Sequence, residues 1–200
     1  PYIHGLCSDG TYIYGACTAY SDGLRSVKVK KIDPKTGETV AVSAETAVLT
    51  NEDFAGICYI DGKIITFMQN GKKYCTNAEL SEDWSEYDGF DKVGYKDLPV
   101  RDAGYSVKTG KFVFRTGERD IRVVSKTGET VKAFSLAYED GTPKRVSVTN
   151  DYIFALYSGN GRWQPAICEY DFNGRLIRRF TLSYDSSVFG GAVQNFNNTN

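Results

Sequence analysis

The sequence predicts an all-β fold in which short antiparallel sheets repeat around a common axis. The first observation is a glycine-centred turn signature that recurs at Gly37, Gly128 and, in a more divergent form, Gly174. These glycines lie 91 and 46 residues apart, and the first spacing is close to twice the second. A period in this range, built from short strands, is typical of toroidal β-repeat proteins. The composition agrees, because 14% of the residues are aromatic and 20 are glycine, as in turn-rich β-proteins.

The composition also excludes several classes of protein. The 200-residue chain has 41% hydrophobic and 24% charged residues, which fits one folded domain and not a disordered chain. Lysine and arginine number 24 against 25 aspartate and glutamate, a net charge of −1. Attraction to nucleic acid or to an anionic membrane therefore has no support. No apolar run approaches the roughly 18 residues of a membrane span, so we expect no membrane insertion.

Five cysteines are scattered along the chain, at Cys7, Cys17, Cys58, Cys75 and Cys168. They form no CxxC pair and no cluster with histidine, so a zinc site is not expected. We interpret them as small buried side chains on strands. The sequence also allows one disulfide, for example between Cys58 and Cys75. The sequence indicates no metal and no cofactor.

Four units of four strands follow one another along the chain. Apolar runs rich in β-branched and aromatic side chains alternate with Gly, Asn and Asp. One short helical turn is predicted at 78–84. The strands are predicted at 2–7, 11–17, 26–32 and 38–43; at 54–60, 63–68, 73–76 and, weakly, within 84–91; at 103–107, 111–115, 121–124 and 130–136; at 145–148, 152–157, 166–170 and 176–182; and, opening a fifth unit, at 188–196.

The second strand is the most regular element of each unit. It follows a tight turn, such as Asp9-Gly10 or Asp61-Gly62, in which glycine supplies the positive φ of a hairpin. It is apolar at nearly every position, which predicts a strand covered on both faces. The fourth strand alternates instead, as at 131–136, which predicts an outer strand with a partly solvated edge.

The fourth unit resembles a known family most clearly. Residues 150–157 (NDYIFALY) and 167–176 (ICEYDFNGRL) resemble the repeats of the β-propeller superfamily, specifically those of NHL-like and six-bladed propellers. The resemblance implies four-stranded antiparallel blades, about four of them plus one strand, in a single β-propeller domain or propeller fragment. The blades are expected at about 1–50, 51–98, 99–143 and 144–186, with the next blade beginning in 187–200.

Two arrangements of these blades stay open. The chain is expected to be a piece of a larger propeller chain of about five to seven blades. An open arc of blades would expose apolar faces to water and favour a homo-oligomer. The alternative is a small closed ring whose last strand completes the first blade.

Loops on one rim of such a domain are the expected ligand-binding surface. The tight turns, which join first to second strands and third to fourth strands, are expected only to reverse the direction of the chain. The loops between second and third strands, and between blades, share the opposite rim, where Tyr, Trp and Arg provide rigid contact area with hydrogen-bonding tips. The alternative for each residue is an ordinary solvated loop side chain. The candidates on this rim are Tyr20, Asp22, Arg25, Tyr95, Arg101, Tyr138, Arg145, Arg162, Trp163 and Tyr184.

An acidic segment in the second unit raises the question of calcium. It contains Asp83, Glu86, Asp88 and Asp91. Their spacing fits no EF-hand loop, because the glycine and the terminal glutamate of that loop are missing. We therefore interpret the segment as a solvated acidic loop.

Catalytic motifs are scarce in this chain. His4 is the only histidine, and it lies on the first apolar strand, where we expect a core or channel-lining side chain and not a general base. No GxSxG, HExxH, P-loop or GxGxxG motif is present. No catalytic residue is assigned from the sequence.

These observations favour a non-catalytic recognition module that binds a glycan or protein ligand through the loop rim. Aromatic rings stack on sugar faces and carboxylates hold hydroxyl groups, so glycan binding is one expectation. One alternative is a structural scaffold section of a larger cell-surface or virion assembly. The other is a propeller-type hydrolase or lyase that uses carboxylate, tyrosine and arginine side chains. The first hypothesis favours an extracellular or cell-surface location, which no targeting motif in the chain establishes.

Overall fold

The computed structural model of the chain describes residues 2–21, 24–46, 54–89, 99–136, 141–158 and 165–181. Within these ranges the chain forms sixteen β-strands and no helix, so the predicted all-β fold is confirmed. In chain order the strands are β1 (Tyr2–Ser8), β2 (Ile13–Ser21), β3 (Leu24–Ile32), β4 (Thr39–Val42), β5 (Phe54–Ile60), β6 (Lys63–Met68), β7 (Lys73–Asn77), β8 (Ser85–Glu86), β9 (Asp102–Ser106), β10 (Lys111–Arg115), β11 (Asp120–Ser125), β12 (Thr130–Ser135), β13 (Arg145–Val148), β14 (Ile153–Tyr157), β15 (Ala166–Tyr170) and β16 (Leu176–Thr181).

Each successive set of four strands forms an antiparallel meander. Strands β1 to β4 form one sheet and β13 to β16 another, each in chain order. The middle eight strands form two further meanders, β5 to β8 and β9 to β12, which one parallel bridge between Gly56 and Ala103 joins into a single sheet. We call these four meanders blades 1 to 4. The predicted four-stranded antiparallel blades are therefore confirmed.

The first strands of the four blades lie side by side. Strand β1 contacts β5, β5 contacts β9, and β9 contacts β13. The first strand is thus the innermost strand of every blade, and the blades are arranged around a common axis, as in a β-propeller. Blade 1 takes all four of its strands from the chain between Tyr2 and Val42, so it needs no strand from the end of the chain to complete it. The predicted strand at 188–196 lies outside the described residues.

The second strand of a blade packs against two neighbouring blades at once. In β6, Ile64 and Met68 belong to the core shared with blade 1, whereas Ile65 and Phe67 belong to the core shared with blade 3. All four side chains are fully buried. Successive residues of a strand point to opposite faces, so a strand sandwiched in this way is apolar at nearly every position. The interpretation of the second strands is therefore confirmed.

Two details of the sequence prediction are wrong in blades 1 and 2. The segment 78–84 forms a hydrogen-bonded turn and no helix: Leu80 N–H donates to the Asn77 carbonyl over 3.0 Å, and Leu80 has a φ of 58°. Strand β2 begins two residues later than predicted. The reason is that the Asp9 carboxylate accepts the N–H groups of Thr11 and Tyr12, both over 2.7 Å, and so holds them in the turn.

The cysteines are free and buried, as the sequence indicated. The disulfide considered between Cys58 and Cys75 is wrong. Cys58 on β5 lies opposite Ile65 on β6, which in turn lies opposite Cys75 on β7. The two cysteines are therefore two strand spacings apart, roughly 10 Å, whereas a disulfide requires Cα atoms within about 7 Å.

A glycine on three of the four inner strands allows the blades to approach closely. An added Cβ at Gly5 would lie 2.7 Å from the Phe54 ring, and one at Gly104 would lie 2.8 Å from Val148 Cγ2. At Gly56 the nearest atom is the Ala103 backbone oxygen, at 2.3 Å. In each case the obstacle belongs to the next blade, so these glycines fix how tightly the inner strands converge.

Gly56→Ala should therefore destabilise the fold by about 3 kcal/mol, the upper end of the usual cost of overpacking, because a backbone atom has little freedom to move away. The matched control is Gly15→Ala on buried strand β2, where the nearest atom would be Leu6 Cδ2 at an ordinary 3.4 Å. We expect the control to change stability by less than about 1 kcal/mol. Urea unfolding of both variants measures the difference, and equal costs would contradict the close approach at Gly56.

The Asp9 turn makes blade 1 sensitive to acid. Burial raises the pKa of Asp9, but hydrogen bonds from Tyr12 N–H, the Tyr14 hydroxyl and Thr11 N–H, together with the charge of Lys31, outweigh it, so the pKa is lowered. The Tyr14 hydroxyl lies 2.7 Å from Asp9 Oδ2 and 3.1 Å from the Ala78 carbonyl of blade 2. A lowered pKa means that the ionised carboxylate stabilises the folded state above the unfolded value of about 3.9, and that this contribution disappears as pH falls through the folded pKa.

Asp9→Asn should consequently cost more stability at pH 7 than at about pH 3, because the contribution of the ionised carboxylate decreases once the pH is below the unfolded value of about 3.9. Tyr14→Phe removes one of the hydrogen bonds to Asp9 and should retain part of this pH dependence. The measurement is urea unfolding of the three proteins at both pH values. A cost of Asp9→Asn that is the same at both pH values would show that the carboxylate charge contributes nothing.

Candidate functional site

A cavity of about 80 Å³ lies where the inner strands of all four blades converge. Its wall consists of residues 3–6 of β1, 55–57 of β5 and 102–104 of β9, the whole of β13, and Phe154 and Leu156 of β14. Small-molecule sites typically measure about 300–1,000 Å³, so this cavity admits one chemical group and not a whole ligand. Among the residues that line it are apolar Ile3, Val148 and Phe154 and polar His4, Asp102 and Arg145.

The charged groups of the cavity come from blades 3 and 4. Asp102 is the first residue of β9 and Arg145 is the first residue of β13. The corresponding position in blade 1, two residues before the inner-strand glycine, is Ile3, and in blade 2 it is Phe54. At this position blades 3 and 4 are therefore charged, whereas blades 1 and 2 are apolar.

Asp102 connects three strands at the cavity. Its carboxylate accepts Arg115 Nε–H over 2.5 Å, the Val146 backbone N–H over 3.1 Å and Arg145 Nη1–H over 3.4 Å. Arg115 also donates from Nη1 to the Glu118 carbonyl over 3.2 Å. The Asp102 and Arg115 side chains are 4% and 6% exposed, whereas Arg145 is 45% exposed. Asp102 thus joins blade 3 to blade 4 and holds Arg145 at the cavity.

The pKa of Asp102 reflects this environment. Burial raises the pKa of the carboxyl, and the Arg115 and Arg145 guanidinium groups lower it without cancelling the effect of burial. The net pKa lies above the ordinary value of an aspartate. Hydrogen bonds to both oxygens hold the carboxylate in place, although burial disfavours its ionised form.

His4 lies on the cavity wall contributed by β1 and is exposed. The sequence predicted a core or channel-lining histidine, and the channel-lining position is confirmed. The residue lies next to Gly5, where β1 approaches blade 2 most closely.

The ten predicted ligand-binding residues divide into four groups. Arg145 lines the cavity. Arg101 is exposed just before β9 and donates its backbone N–H to the Arg115 carbonyl over 2.7 Å, but it is not among the residues that line the cavity. Tyr20 and Arg25 are opposite each other on β2 and β3. The remaining candidates, which lie outside the described residues, are Asp22, Tyr95, Tyr138, Arg162, Trp163 and Tyr184.

Asp102 and the inner-strand glycines were missed by sequence reasoning. A signal was present, because Gly5-Leu6-Cys7 returns as Gly56-Ile57-Cys58 and, more distantly, at Gly104. The inner strand of the fourth unit has no glycine, so this repeat leads to Asp102 and not to Arg145. The turn signature at Gly37, Gly128 and Gly174 marks the opposite end of blades 1, 3 and 4.

A second depression lies on the exposed side of blade 3, between β11 and β12. It is larger, about 340 Å³, but one blade alone contributes its wall. Its Ser135 hydroxyl donates to Asp120 Oδ1 over 2.6 Å, so these two polar groups satisfy each other. The cavity at the axis, which four blades build together, is the better candidate.

Metal binding finds no support in the part of the chain that the structure describes. No group of three or more His, Cys, Asp or Glu side chains there is placed to hold an ion. In the acidic segment, Asp83, Glu86 and Asp88 are exposed, and Asp91 lies outside the described residues. None of the described residues belongs to a helix long and apolar enough to cross a membrane.

Comparison with known proteins supports the fold and leaves the activity open. No protein-family model matches the chain. No curated protein matches it either. Among solved structures it is similar to the crystal structure of glutaminyl cyclase from Myxococcus xanthus, with a TM-score of 0.55 and 13% identity over 89% of this chain and 69% of that one. At this identity the similarity concerns the fold, and 680 solved chains match the chain. The chain is a β-propeller-like protein, and its assignment to the NHL-like type stays a prediction.

The ion pairs at the cavity differ in what they contribute to stability. Asp102→Asn leaves the buried Arg115 cation without its counter-ion, and we expect a loss of about 3–5 kcal/mol. Arg145→Gln removes a partly exposed partner at a long distance, and we expect a loss of at most about 1 kcal/mol. Urea unfolding of both variants tests this order. If Arg145→Gln costs as much as Asp102→Asn, the cavity arginine is a structural residue.

Proposed function

We propose that this chain is a non-catalytic recognition module that binds its partner at the mouth of the propeller axis. The observation that carries the proposal is the convergence of four inner strands on one narrow cavity with a partly exposed guanidinium at its wall. A cavity of about 80 Å³ accommodates a single group of a larger ligand. The rest of such a ligand would lie over the surrounding loops, where the sequence predicted the binding residues.

The state of the polar side chains also favours binding over chemistry. Asp102 accepts hydrogen bonds on both carboxylate oxygens from groups of the protein itself. A general base needs an oxygen available to the reacting proton, whereas a carboxylate that orients an arginine does not. Arg145, by contrast, is partly exposed and reaches the cavity. Arginine is enriched at the centres of binding sites because its planar guanidinium donates several hydrogen bonds in a fixed direction.

An enzymatic role is the second candidate. The raised pKa of Asp102 and the presence of His4 on the same cavity wall are features that catalytic sites share. The solved structure with the similar fold is a glutaminyl cyclase. Cyclisation of an N-terminal glutamine releases ammonia, so incubation of this protein with a glutaminyl peptide and an ammonia assay test the idea. Ammonia release that His4→Gln abolishes would favour the enzyme over the recognition module.

The recognition proposal predicts a restricted set of ligands on peptide and glycan arrays. Arg145→Gln should weaken binding of that set by about tenfold or more, since a hydrogen bond to a charged group is worth about 1.5–3 kcal/mol. The control is Arg175→Gln, which removes the same charge from an exposed position just before β16. Binding that Arg145→Gln leaves unchanged would contradict a site at the axis. The absence of binding on both arrays would favour the scaffold alternative.

A further inference from the structure

Among the residues that the structure describes, the charges at the axis cavity do not balance. Asp102 supplies one carboxylate, and Arg115 and Arg145 supply two guanidinium groups. Arg115 is the closer partner of Asp102, and both members of that pair are almost completely buried. Arg145 lies farther away and keeps much of its surface exposed. The surplus positive charge therefore belongs to Arg145, at the wall of the cavity.

The guanidinium of Arg145 is also held in a defined place. Its Nη1 donates to Asp102 Oδ1, and Asp102 is itself fixed by Arg115 and by the Val146 backbone N–H. A guanidinium has five N–H donors in one plane, and the bond to Asp102 uses one of them. Two parallel N–H groups of arginine match the two oxygens of a carboxylate. The arrangement presents a pre-oriented donor group to whatever enters the cavity.

Apolar side chains also line the cavity. Ile3, Val148 and Phe154 contribute to its wall, and Ile3 is 52% exposed. Methylene groups would pack against these side chains without leaving a polar atom unsatisfied. A sugar ring would bring hydroxyl groups against them, and unpaired hydroxyls that lose water destabilise a complex. A phosphate is bulkier than a carboxylate and carries more charge than one arginine neutralises.

From these three features we propose that the axis cavity binds a carboxylate on an aliphatic stem, the acidic side chain of a protein partner. This inference rests on the proposed binding site at the axis and adds the chemical class of the group that enters it. Arg145 is the residue that contacts the carboxylate. Asp102 is a positioning residue that acts through Arg145.

The first test uses small probes on the whole protein. Butyrate, the probe with an aliphatic stem, should bind with a dissociation constant of about 1 mM or weaker, as expected for so few atoms. NMR titration should show a shift of the Arg145 Nε–H signal. Butyramide has the same shape without charge and should bind at least tenfold more weakly. Equal binding of butyrate and butyramide would overturn the proposal, and so would tighter binding of glucuronate or methyl phosphate than of butyrate.

Variants make the assignment specific. Arg145→Gln should weaken butyrate binding at least tenfold, Arg145→Lys should retain part of it because the charge stays, and Arg175→Gln should bind like the wild type. Unfolding curves of each variant confirm that the protein is folded during the titration. Wild-type affinity in folded Arg145→Gln would overturn the proposal.

A peptide experiment separates this inference from the proposed function. For each peptide selected on the array, glutamate is replaced by glutamine and binding is remeasured with the wild type and with Phe154→Ala. The expected result is that both changes weaken binding. If Phe154→Ala weakens binding and the glutamine peptides bind normally, the site at the axis stands and the carboxylate assignment is wrong.

Discussion

The packing of the second strand between two neighbouring blades is the constraint on which this fold depends. A single four-stranded meander has two faces, and strand β6 is apolar on both of them. Water would cover both apolar faces of an isolated blade, so each blade is stable through its neighbours. The inner strands must then converge on the axis. At Gly5, Gly56 and Gly104 they approach so closely that no side chain fits between blades.

This convergence explains both the size and the chemistry of the cavity. Because the inner strands are close, the space at the axis is small, and the side chain at one position of each strand determines its character. Apolar side chains occupy that position in blades 1 and 2, and Asp102 and Arg145 occupy it in blades 3 and 4. Buried ion pairs contribute little net stability, since the loss of hydration offsets the attraction. At the axis, the Asp102 carboxylate orients Arg145 by accepting a hydrogen bond from its Nη1.

The similarity to a glutaminyl cyclase places the chain in a fold that supports different activities. Function must therefore be argued from the site. Asp102 accepts hydrogen bonds from its own protein on both oxygens and Arg145 is left partly exposed, and on these features we base the proposal of a binding site with a preference for anions. The loops around the axis would provide the remaining contact area, and the axis would provide the anchor.

The sequence alone determined the local structure, because it depends on interactions between near neighbours. Hairpin turns such as Asp61-Gly62 and the continuous apolar pattern of β6 predicted strands and blades correctly. The segment 78–84 was mistaken for a helical turn, since a helical turn and a hydrogen-bonded turn have similar local composition. The site was decided by the tertiary structure. Asp102 and Arg145 are more than forty residues apart in sequence, and they meet because the packing of whole blades brings the starts of β9 and β13 together.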